Sequence, residues 1–129
     1  MLKKGILNPA INSLLSRFRH TNTIVIADRG FPFWKEVETI DITLVDDIPT
    51  VLQVLAAIKP QVVIGNAWMA EEFLKVNTPE VVQMFRNAFN GINLHFEPHI
   101  EFKKRVPSAI GLIRTADTIQ YANIILESA

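Results

Sequence analysis

Apolar positions recur along this chain in two periods, and the switching between them lays out its elements. Ile11, Leu14, Leu15 and Phe18 fall three, one and three residues apart, the stripe of a helix. Asn8-Pro9 marks its start, with Asn8 as N-cap and Pro9 in the first turn, where a missing N–H costs nothing. Thr23 to Ala27 follows, with Ile24, Val25 and Ile26 continuous and β-branched, as expected of a strand covered on both faces. Val37 to Val45 alternates in part and reads as a second strand.

Asp46 or Asp47 can cap a helix over Pro49 to Ile58, which Pro60 stops. Val62-Val63-Ile64 opens a strand running towards Met69. Thr78-Pro79-Glu80 starts a helix with the stripe Val82, Phe85, Ala88 and Phe89, ended by Asn90-Gly91. Ile92, Leu94 and Phe96 alternate in a short strand, and Pro98 begins a helical turn carrying His99 and Lys103. Ala109 to Arg114 and Ala122 to Leu126 predict the last two strands. Strands alternating with helices, without repeat or low-complexity stretch, predict one α/β domain over residues 1–129.

Composition narrows the function classes. A hydrophobic fraction of 49 % and a charged fraction of 20 % argue for a packed core rather than disorder. Thirteen basic residues balance thirteen acidic ones, so there is no electrostatic footprint for nucleic acid or an anionic membrane. No apolar run approaches the roughly 20 residues of a spanning helix, and no signal peptide is visible. Cysteine is absent, which removes disulfides and thiol chemistry and fits a reducing compartment; the expectation is a cytoplasmic protein.

Candidate chemistry is concentrated at a few positions. His20 and Asp28 bracket the first strand, and Asp28 stands where a buried strand opens into Arg29-Gly30-Phe31-Pro32, a common address for chemistry in α/β proteins. The plainer alternative is a helix end and a turn cap. His99 and Lys103 share a helical face, whether as a site or as a solvated surface. Tyr121, beside Asn123, is the only tyrosine and could equally be a core-edge residue. Trp34 and Trp68 could stack on a ligand or be buried. Arg29 and Arg114 could bind an anion or pair with carboxylates. No glycine-rich phosphate loop exists, and His20, His95 and His99 lack metal-ligand spacing, so neither a nucleotide cofactor nor a metal is expected.

Taken together, several segments resemble one family. They are Met1 to Asn8, Arg19 to Thr23, Asp28 to Pro32, Ile40-Asp41, Pro49 with Gln53 to Leu55, Ala70-Glu71-Glu72, Pro98-His99 with Phe102-Lys103, Ile113 to Thr115 and Tyr121 to Leu126. In this order, over nearly the whole chain, they are similar to the RbsD/FucU family of ribose pyranases and fucose mutarotases, most of all its ribose branch. The resemblance implies a layered α/β/α fold with a mixed central sheet. It implies a cofactor-independent isomerase that interconverts the pyranose, furanose and anomeric forms of a free sugar such as D-ribose, feeding a sugar kinase. His20 then matches the proton donor, and Asp28, His99, Lys103, Tyr121, Ala122 and Asn123 match the sugar site. Ring-shaped homodecamers with sites between subunits are implied as well. A non-catalytic sugar-binding or transport-accessory protein of the same fold is the alternative, and a binder of acidic or phosphorylated sugars a weaker one.

This chain departs from the family pattern at three places. Arg29 replaces a small residue, Ala116-Asp117 replaces Gly-Glu, and Glu127-Ser128-Ala129 stands where members often continue to Val-Thr-Phe. The chemistry itself is demanding only in geometry: the C1–ring oxygen bond breaks, an open-chain aldehyde forms and the ring recloses. One group must protonate the ring oxygen while another takes the anomeric proton, a task suited to histidine. His20 and Asp28 are eight residues apart, an extended path of up to roughly 26 Å, far longer than a pyranose. Either the chain curls sharply between them or His20 serves a neighbouring subunit's Asp28, and the second is the expectation.

Overall fold

A computed structural model describes all residues, Met1 to Ala129. Six strands form one sheet: β1 (Thr23–Ala27), β2 (Thr39–Asp41), β3 (Ile64–Ala70), β4 (Asn93–Glu97), β5 (Gly111–Arg114) and β6 (Ile124–Ser128), in the order β2-β5-β1-β6-β3-β4. β1 pairs in parallel with β5, β5 with β2, and β3 with β4, whereas β6 runs antiparallel between β1 and β3. The sheet is therefore mixed, with five strands pointing one way. The carboxyl ends of these five strands and the entry to β6 all lie along one edge.

Helices α1 (Pro9–Ser16), α2 (Val51–Ile58), α3 (Glu71–Val76) and α4 (Pro79–Ala88) cover one face. There Leu14, Leu55, Phe73 and Phe85 pack on Ile24, Ile26, Met69, Ile113 and Ile124, all fully or almost fully buried. The opposite face is covered by α5 (His99–Arg105) and the loop around Phe31 and Val37. Here Phe102 and Val106 pack on Val25, Ala27, Leu112 and Ile125. The unbroken apolar run of β1 is explained by this: Ile24 and Ile26 enter one core, Val25 and Ala27 the other. The architecture is α/β/α in a single layered unit.

Local capping follows the sequence in α1 and α4, whose expected caps Asn8 and Thr78 each accept an N–H, but not in α2. The Asn8 side chain accepts the Ile11 N–H at the start of α1, and Thr50 and Gln53 form a reciprocal capping box on α2. The cap of α2 is thus Thr50, not Asp46 or Asp47, and the helix begins at Val51. Asp47 instead sits at φ 63° and accepts from the N–H and hydroxyl of Thr118.

The strand expected over Val37 to Val45 shortens to Thr39–Asp41. The Asp41 carboxylate accepts the Thr43 N–H and pairs with Arg114, which turns the chain out of the sheet. The last strand is shifted two residues later than expected, leaving Ala122 and Asn123 in the approach to β6. α3 was not visible in the periodicity: it has six residues, no side-chain N-cap bond, and one fully buried anchor, Phe73.

Close packing at β5 gives a direct test. A Cβ on Gly111 would lie 2.5 and 2.7 Å from the two δ carbons of Leu14, a fully buried side chain with no room to swing away. Gly111→Ala should cost about 1–3 kcal/mol of stability, read as a lower midpoint in chemical denaturation with an unchanged slope.

Candidate active site

The shared carboxyl edge of the sheet carries the chemistry. β1 leads into Asp28, β4 leads through Pro98 into α5 and His99, and Tyr121 to Asn123 enter β6 beside them. A cavity of about 380 Å³ is lined by Asp28, Gly30, Phe31, Pro32, His99, Lys103, Gln120, Tyr121 and Asn123. Five of the expected sugar-site residues therefore meet at one place, contributed by three segments far apart in sequence. Ala122, also expected there, is fully buried in the main core, which leaves it only its backbone to offer.

Each side chain is held by a local device. The Asn123 side-chain oxygen accepts the Asp28 N–H at 2.7 Å, tying β1 to the entry of β6. One Asp28 carboxylate oxygen accepts the Gly30 N–H at 3.0 Å and shapes the following turn. Tyr121 adopts φ 57°, a left-handed conformation unusual for a residue with a bulky side chain. The His99 ring stacks over Phe102 at 5.9 Å and meets Tyr121 edge-on at 5.1 Å. Its i+4 neighbour Lys103 is exposed and forms none of the chain's ion pairs, so its ammonium is available to a ligand.

Electrostatics push both titratable groups towards their neutral forms. Burial raises the Asp28 carboxyl above its ordinary value, and the nearby Asp117 adds to this, while the Gly30 and Phe31 N–H groups and Asn123 partly offset it. Burial, then Lys103, holds the His99 imidazole below its ordinary value, against opposing pulls from Glu72 and Asp28. A neutral imidazole beside a reluctant carboxylate can accept or donate a proton near neutrality.

A second cavity, of about 560 Å³, adjoins the first and shares His99 and Lys103 with it; Trp34, Glu72, Ile100, Lys104 and Pro107 complete its wall. Two buried ring nitrogens here, Trp34 Nε1 and His99 Nδ1, have no hydrogen-bond partner within the chain. Glu72 was given no role by sequence reasoning, yet both of its carboxylate oxygens lie 3.1 Å from the His99 N–H, which donates to them. Gln120 was missed as well, since nothing marks a lone glutamine in a loop.

His20 is not part of this arrangement within one chain. It precedes β1, so a strand of about 17 Å separates it from Asp28, at the opposite edge of the sheet. There it is exposed, in a turn closed by the Asn22 side chain, which accepts the Arg19 N–H.

The remaining candidates have structural partners. Arg29 pairs with Asp46, away from the cavity wall, and Arg114 pairs with Asp41 and donates to the Phe31 carbonyl. Trp68 lies under the Arg105 guanidinium at 4.4 Å and beside His95 at 5.6 Å, which covers the ring that a sugar would need. Asp117 is buried; its carboxylate accepts the N–H groups of Val51 and Ile119 and so braces the loop before Tyr121. No three histidine or carboxylate side chains cluster in metal-binding geometry.

Comparison with known proteins identifies the family. The model of the RbsD / FucU transport protein family matches residues 1–129. The chain is 41 % identical over 128 residues to the D-ribose pyranase of Geobacillus kaustophilus, covering 99 % of this chain and 93 % of that protein. It is 38 % identical to the D-ribose pyranase of Corynebacterium glutamicum strain R, covering 99 % and 97 % respectively. Among solved structures, Bacillus subtilis RbsD complexed with D-ribose superimposes with a TM-score of 0.91 at 32 % identity, covering 100 % of this chain and 98 % of that one. The fucose mutarotase of Streptococcus pneumoniae has the same fold, with a TM-score of 0.79 at 20 % identity over 99 % and 98 % of the two chains. On the full-length match, the identity to these relatives and the shared mixed sheet, the chain belongs to the RbsD/FucU family.

Proposed function

We propose that this protein is a cofactor-independent sugar mutarotase of the D-ribose pyranase kind, with the cavity at the end of β1 as its monosaccharide site. The observation that carries this reading is the convergence of Asp28, His99, Lys103, Tyr121 and Asn123 on one cavity in a chain so similar to D-ribose pyranases. Ring opening transfers no electrons and no group other than protons, so acid–base side chains suffice. Asp28, through its free carboxylate oxygen, and Asn123, through its amide N–H, hold sugar hydroxyls. Lys103 adds a donor at the rim, and the Tyr121 hydroxyl hydrogen-bonds or relays. Neutral His99 takes the anomeric proton, and a second histidine protonates the ring oxygen. Such a pair contributes typically 10²- to 10⁴-fold per group, ample for a reaction that proceeds unaided in water.

That second histidine is His20 of the partner subunit. The separation of His20 from Asp28 within a chain, and the unpartnered Trp34 and His99 nitrogens beside the site, both favour a cavity closed by a neighbour. The ring-shaped decamer implied by the family resemblance provides such a contact. We place the reaction in the cytoplasm on the cysteine-free composition alone.

Arg29, a long cation following Asp28, is the departure that would favour a non-catalytic sugar binder, and its pairing with Asp46 removes that argument. Phosphosugar binding loses ground for the same reason, since Arg29 and Arg114 are both engaged with carboxylates.

Exchange NMR on D-ribose tests the activity: added protein should speed interconversion of pyranose and furanose signals, and binding without faster exchange would refute it. His20→Ala and Asp28→Ala should each abolish that acceleration. Co-assembled in equal amounts, they should recover about a quarter of the wild-type sites by random mixing, whereas sites within one chain would recover none. The rate should fall with acid as His99 gains its proton. Because burial lowers this pKa below the ordinary 6.5, the midpoint of the acid limb should lie below that value. Arg29→Ala should keep the exchange rate within about twofold, since it breaks only an exposed ion pair.

A further inference from the structure

We propose that Glu72 is a positioning residue for this reaction: from the start of α3, its carboxylate fixes the first turn of α5 and places a negative charge beside His99. The inference rests on the mutarotase reading of the site, since it names what controls a group within it. Helix α5 needs an external anchor. It has seven residues, its N-cap is Pro98, and no side chain of its own segment caps it. The anchor comes from another strand's helix. β3 and β4 are parallel neighbours, with Ala70 opposite Glu97, so α3 and α5 leave the same edge side by side. Glu72, in the first turn of α3, takes the His99 N–H on both oxygens.

This contact acts on His99 at its own backbone, and the rest of α5 transmits little freedom. Phe102 is fully buried one turn on and stacks with the imidazole, so the ring has a floor and the helix start has a clamp. Glu72 also shares a cavity wall with His99 and Lys103. The charged groups facing the imidazole are therefore Lys103 from its own helix, Glu72 from α3 and Asp28 just after β1, with the titratable Tyr121 edge-on to the ring. Glu72 opposes the effect of Lys103, keeping His99 basic enough to take a proton from the sugar despite its burial. A carboxylate is needed for that balance, whereas any acceptor would serve as a cap.

Two variants separate the two tasks. Glu72→Gln keeps an oxygen for the His99 N–H and removes the charge; Glu72→Ala removes both. Proton NMR titration follows the imidazoles directly, and with three histidines in the chain the His99 resonance can be assigned by His99→Gln. In Glu72→Gln the His99 titration and the acid limb of the exchange rate should move together to lower pH, by about half a unit. In Glu72→Ala kcat/KM should also fall about tenfold, with the loss mainly in kcat, as misplacement of a proton-transfer group would produce.

An unmoved His99 titration in Glu72→Gln would overturn the proposal, and so would a Glu72→Ala variant with wild-type kcat/KM. A shifted titration in a protein that fails to accelerate sugar exchange would leave the Glu72–His99 coupling standing and sink the mutarotase reading instead.

Discussion

The candidate site hangs on one hydrogen bond between two strands that run in opposite directions. β6 is inserted antiparallel between β1 and β3, so its entry lies beside the exit of β1. The Asn123 side chain takes the Asp28 N–H at 2.7 Å across that boundary. Were β6 parallel like the other five strands, Tyr121 to Asn123 would lie at the far edge of the sheet, and no cavity would join them to Asp28 and His99. The direction of β6, fastened at its entry by that hydrogen bond, brings the candidate site residues together.

Around that junction burial disfavours the charged forms of two side chains. Asp28 and His99 are both partly desolvated, which moves a carboxyl up and an imidazole down, towards each other. Buried neighbours extend the same logic. Asp117 raises Asp28 while bracing the loop before Tyr121, so one carboxylate serves both the shape and the acidity of the site. Ring opening needs groups able to pass protons in both directions with little driving force, and shifts that bring the two affinities nearer each other suit it.

Two of the three departures from the family pattern become intelligible in this frame. Arg29 follows a residue of the site, yet its guanidinium reaches outward to Asp46 on the Thr43–Pro49 turn. Asp47 in that turn binds Thr118, and Ala116 exchanges backbone hydrogen bonds with Asp47 and Pro49. Arg29 and Ala116-Asp117, two substitutions distant in sequence, thus belong to one scaffold of three loops that supports the cavity from outside.

Much of this was legible in the chain. The run Ile24 to Ile26, the Asn8-Pro9 and Thr78-Pro79 starts and the alternation of strands with helices each rest on local physics: side-chain period, capping and proline geometry. The ordered segments from His20 to Asn123 likewise marked the family, and most of the residues that line the candidate cavity. Other features were decided only by folding. The short β2 ends because Asp41 finds Arg114, far along the chain, and α3 holds because Phe73 is buried by partners from other elements. Glu72 was silent for the same reason: its significance lies in the N–H of His99, and only the parallel pairing of β3 with β4 brings them together. Local periodicity and caps determine which segments become helices and strands. Which side chains meet depends on long-range strand order, which no short window of sequence encodes.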